Sequence, residues 1–158
     1  MEFIELKKIY GDFEKKYNLP SFDEMNSIFE IGKIDVNSGN LLRDIRKFAI
    51  EKIAHYVRLI EIMLNPSQAS PMFLMLLKEI TSKDKKIIEE VFSVFIELEI
   101  SSYYLDITSS ETKEVDILKK VYSVWSAQKS NLEYMIGILE KNSKTNTKPN
   151  GKSRDYFN

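Results

Sequence analysis

The chain has 158 residues, 43% hydrophobic and 30% charged, yet its formal net charge is only −1. That is one domain's length with enough apolar residues for a core, and it excludes a strong overall electrostatic field as the means of finding partners. Cysteine is absent, which excludes disulfides, iron–sulfur clusters, thiol nucleophiles and structural zinc, and fits a reducing compartment.

The opening stretch, MEFIELKKIYGDFEKK, carries charges throughout and lacks the apolar segment of a signal peptide. Phe3, Leu6, Tyr10, Phe13 and Tyr17 step by three and four, which predicts an amphipathic helix ending before Leu19-Pro20. Ser21 with Glu24 three residues on has the form of a capping box and opens a short helix through Met25, Ile28 and Phe29. The segment GKIDVNSGN reads as a loop. The alternation in FEIGKIDV leaves a short strand as its one alternative.

A long helix is predicted over 41–64, stopped by Asn65-Pro66. Ser70 before Pro71 is an N-cap and first-position pair, so a short helix starts there and reaches about Ile80. Ser82 caps a further helix to about Leu105, and residues 108–110 cap the last, to about Lys141. From Asn142 the periodicity stops. Residues 141–158 hold five basic side chains and one acid, +4, while the remaining 140 carry −5. The expected architecture is all-α: a single-domain bundle of five to six helices over 1–141, followed by a disordered basic tail over 142–158.

Apolar residues fill about half the circumference of helix 41–64 and more than half of helix 83–105, wider than a surface helix needs. These two helices are expected at the centre. The first and last show narrow stripes, such as Leu118, Val121, Trp125 and Leu132, and are expected on the outside. Met72 to Leu77 is a run of six apolar residues. The favoured expectation is a core plug between the two broad-faced helices. The alternative is an apolar partner surface using Met72, Met75 and Leu77, because flexible thioethers suit adaptable grooves. A membrane contact ranks last, since the run itself carries no basic face, and no stretch approaches the ~20 apolar residues of a span.

Motifs for chemistry are few. His55 is the only histidine, which removes Ser–His, Cys–His and polyhistidine metal arrangements. Glu51 stands one turn before it on a charged face, as a solvated i,i+4 pair. There is no phosphate-binding glycine loop. Tyr103, Tyr104 and Trp125 read as core or boundary aromatics. Four polar residues interrupt apolar arcs: Arg46 and Lys52 on helix 41–64, Glu99 on the next long helix, and Gln128 on the last. Buried ions must be paired, so Arg46 or Lys52 is expected to meet Glu99. The functional alternative is an anion pocket with Arg46 and Lys52 as ligands and Gln128 orienting.

The expected function is a non-enzymatic helical interaction module, a scaffold or adaptor in the cytoplasm, with a protein partner or a second copy of itself. No cofactor, metal or membrane is expected. Nucleic-acid or ribosome association through Lys144, Lys148, Lys152 and Arg154 is the alternative, and a small anionic ligand between the helices is a third.

Overall fold

The computed structural model describes residues 2–146. Six helices account for most of them: α1 (Glu2–Tyr17), α2 (Phe22–Phe29), α3 (Leu41–Leu64), α4 (Pro71–Leu76), α5 (Ser82–Thr108) and α6 (Glu111–Asn146). No strand occurs among the described residues; FEIGKIDV forms 3-10 turns at Ile31–Lys33 and Val36–Ser38 instead.

Side-chain caps explain where the helices begin. Ser21 accepts from Glu24 N while the Glu24 carboxylate accepts from Ser21 N at 2.9 Å, the reciprocal box the spacing predicts. Asn40 caps α3 by accepting from Arg43 N at 3.2 Å, and Ser70 caps α4 by accepting from Phe73 N at 3.2 Å with Pro71 in the first turn. The α5 cap is Thr81, one residue before the expected Ser82. It forms a box with Asp84, whose side chain reaches back to Thr81 N at 2.8 Å.

Helices α3, α5 and α6 pack on one another. Their buried seams are Leu42, Ile45, Ala49, Ile53, Val57 and Ile60; Ile88, Val91, Phe95 and Leu98; and Val115, Leu118, Val121, Leu132 and Met135. The last helix is therefore a third central member, not the outer one its narrow stripe suggested. Half-buried Tyr122, Val124 and Trp125 widen its contact arc enough to face two neighbours. Trp125 alone meets Phe29, Tyr56 and Phe95 rings at 5.5–6.3 Å between centroids.

The N-terminal helices cover one end of this trio. Tyr10 is fully buried and its hydroxyl donates to Pro20 O at 2.7 Å. Burial, reinforced by Glu14 and Glu24, pushes its pKa up. Asn26 Oδ1 accepts from Gly32 N at 2.7 Å, and a Cβ at Gly32 would come within 2.6 Å of the Phe3 ring and 2.9 Å of Asn26 Oδ1, so a side chain there would displace both.

Two further expectations fail. Helix α4 is six residues long and none of them is buried. Because α3 and α5 touch each other directly, no slot remains between them for a plug, and α4 lies against α6 instead. The last helix also continues to Asn146, past the expected end at Lys141, because Asn142 is buried and its Nδ2 donates to Leu76 O at 2.7 Å.

Candidate interaction surface

The four interrupting polar residues do not converge. Arg46 is completely buried, and its guanidinium ties the three central helices together. Nε donates to Glu114 Oε2 at 2.6 Å, Nη1 donates to Ser102 O at 3.0 Å and to the Ser102 hydroxyl, and Nη2 donates to Asp106 Oδ1 at 2.7 Å. Burial alone would lower its pKa, but the bonds to Glu114 and Asp106 outweigh that and hold it above the ordinary arginine value. The partner expected from sequence, Glu99, is absent from this network. Glu114 and Asp106 replace it, since they stand where α5 and α6 meet opposite the first turns of α3.

Lys52 is satisfied elsewhere: its ammonium donates to Ile28 O and lies 5.0 Å from the centre of the Trp125 ring. Gln128 Oε1 accepts from Asn131 Nδ2 at 2.8 Å on its own helix. Glu99 is 8% exposed, and burial, with the neighbouring Glu61, pushes its pKa up against the smaller pull of Arg58. With Arg46 and Lys52 committed to separate protein acceptors, the proposed anion pocket loses both of its ligands. Among the described residues no cluster of three metal-ligating side chains occurs. His55 is exposed, as its charged helix face predicts.

Among the described residues, exposed large apolar side chains gather most densely on α4 and on α5. On α4, Met72 is 82% exposed, Leu74 and Met75 are also exposed, and Leu77 is half-buried where it closes the helix. The core reading of this run is thereby overturned.

The second surface was missed by the sequence reading. Ile100, Tyr103, Tyr104 and Ile107 on α5 are each between 57% and 84% exposed. They fall at i, i+3, i+4 and i+7, so they form one stripe, directly behind the buried seam of Leu98, Ser102 and Leu105. Most of the wide apolar arc on this helix does face inward, with Ile88, Val91, Phe95, Leu98 and Leu105 buried and Ile87, Phe92, Val94 and Ile96 half-buried; of the outward stripe it held only Tyr103. The i, i+3, i+4, i+7 spacing was the available signal. A groove of about 480 Å³ flanks the stripe, with Leu105 and Ile117 among its lining residues. Its rim carries both signs of charge: Lys120 pairs with Glu97 at 2.5 Å, Lys113 stands 5.2 Å from the Tyr104 ring, and Asp116 lies between them.

Of the tail residues, Lys144 lies on α6 and bonds Glu140 Oε1 at 2.6 Å; Lys148, Lys152 and Arg154 lie outside the described residues. Comparison with protein-family models, curated proteins and solved structures finds no match to this chain.

Proposed function

We propose that this chain is a non-enzymatic helical interaction module whose α5 face receives an amphipathic helix of another protein or of a second copy of itself. The observation that carries this reading is the stripe of Ile100, Tyr103, Tyr104 and Ile107, four large apolar side chains in solvent at helical spacing. Contiguous apolar surface of this kind marks interaction sites on soluble proteins, and anchors at i, i+3, i+4 and i+7 suit pairing with a second helix. The mixed charges of Lys113, Asp116, Lys120 and Glu97 favour a protein partner at this face over a polyanion, which a uniformly basic rim would attract.

The test is affinity capture from native lysate with the full chain, its Ile100→Glu and Ile107→Glu variants, and sedimentation of each alone. The expected result is a captured protein, or a self-associated dimer, that both variants lose while their melting temperatures stay close to that of the parent. Capture and sedimentation that are identical for parent and variants would remove α5 as the site.

A further inference from the structure

The end of the bundle that carries α4 combines two features that the α5 face lacks. The first is an apolar helix that is exposed over half its circumference: successive residues rotate by roughly 100°, so Pro71, Met72, Leu74 and Met75 together span the outward half, with nothing polar among them. A flat protein partner covers one stripe of a helix. An apolar medium that closes around the helix suits the whole outward half, and Leu76 and Leu77 at its edges are only half-buried.

The second is charge. The fold brings α4 beside the first turn of α5 and the last turns of α6, where Glu79, Lys83, Tyr134, Lys141 and Asn142 line one shallow groove. Lys78, Lys83, Lys85, Lys86, Lys141 and Lys144 are all exposed around this end. The acids there are Glu79, Glu133, Glu140 and Asp84. Asp84 is buried and occupied by Thr81 N and the Tyr134 hydroxyl, at 2.8 and 2.6 Å. Glu140 holds Lys144. Glu89 and Glu90 follow about one turn further along α5. Read as a run, Met72 to Leu77 has no basic face; the exposed lysines of the segments that adjoin α4, the first turn of α5 and the last turns of α6, supply the charge.

We infer that the α4 end docks on an anionic lipid surface, with Met72, Leu74 and neighbouring side chains entering the headgroup–acyl boundary and the surrounding lysines facing lipid phosphates and carboxylates. A short apolar insertion and a basic patch are each weak anchors, and together they give stable but reversible attachment. Each lysine near an anionic bilayer contributes about 1 kcal/mol, a factor of about five in partitioning.

The experiment is co-sedimentation of the full chain with vesicles of phosphatidylcholine alone and of phosphatidylcholine with phosphatidylserine. Leu74→Asp, Met72→Asp and the triple Lys83→Gln, Lys85→Gln, Lys86→Gln variant are compared, each checked by circular dichroism and melting. The expected result is binding to the serine-containing vesicles, at least tenfold weaker binding to the neutral ones, a loss of about 100-fold in the triple variant, and a loss of tenfold or more in each aspartate variant. Three outcomes would overturn the inference. One is no partitioning to either vesicle. Another is equal binding to both. The third is anionic binding that the aspartate variants retain in full, since contact through charge alone describes an acidic protein or a nucleic acid.

Discussion

Arg46 is the side chain on which the central trio depends. With no exposure, and with Glu114 only 4% exposed, the pair sits where an orphaned charge is costly. Arg46→Leu leaves the Glu114 carboxylate buried without its cation, so a loss of roughly 3–5 kcal/mol is expected. At about 2–4 °C per kcal/mol for a domain of this size, that is a fall in melting temperature of roughly 10 °C. Adding Glu114→Leu should recover part of the loss, because the double variant leaves no partner stranded; a double variant no more stable than the single one would show that Glu114 is not the group being orphaned. Glu99 behaves in the opposite sense. Its folded-state pKa is raised by burial, so the protonated group favours the folded state at low pH and that contribution is lost as pH rises through the raised value. Glu99→Gln should therefore raise the melting temperature at pH 7, with the difference shrinking as pH falls toward about 4, the range of an ordinary glutamate. A difference that stays constant across that range would mean the effect is steric.

At the scale of elements, α4 is attached rather than embedded. Asn142 donates to Leu76 O at 2.7 Å, and such a bond contributes about 0.5–1.5 kcal/mol net. Asn142→Ala should lower stability by about that amount and speed amide exchange over 74–77, while the centres of α3 and α5 exchange as before; uniform acceleration throughout would mean that α4 and the core open together. A core plug would make Leu74→Asp unfold the chain. With Leu74 exposed, the variant should instead stay within about 0.5 kcal/mol of the parent in chemical denaturation. The α5 element shows why counting apolar residues on a wheel was insufficient. The broad core face is mostly buried against α3 and α6, while Ile100, Tyr104 and Ile107 lie on the opposite side and stay in solvent with Tyr103.

Across the whole molecule, the stripe at 100–107 and the α4 end stand toward opposite ends of α5, separated by roughly 25 Å of helix at 1.5 Å per residue. Occupying one therefore leaves the other open, and a protein could be held at a fixed distance from a charged surface. The competing reading for the basic residues is nucleic acid. If Lys144, Lys148, Lys152 and Arg154 provide that contact, affinity for arbitrary RNA should fall with salt with a log–log slope no steeper than roughly 3–4 in magnitude. It should also be indifferent to Leu74→Asp. A salt-insensitive, sequence-specific complex would rule that contact out.

Local rules determined the helices. The three- and four-residue periodicity, the box at Ser21 and Glu24, and the Ser70-Pro71 start were all legible, because each rests on residues within one or two turns of one another. The all-α class follows from them. Which apolar faces are buried was decided only by the tertiary arrangement. Once α3, α5 and α6 pack directly together, the length and position of α4 leave it outside, and α5 keeps an outer stripe that stays largely in solvent. The partner of Arg46 was settled in the same way. The sequence requires that a buried arginine be paired, but whether Glu99, Glu114 or Asp106 stands within 3 Å depends on helix rotation and offset. Those are global outcomes of packing, and no local pattern encodes them.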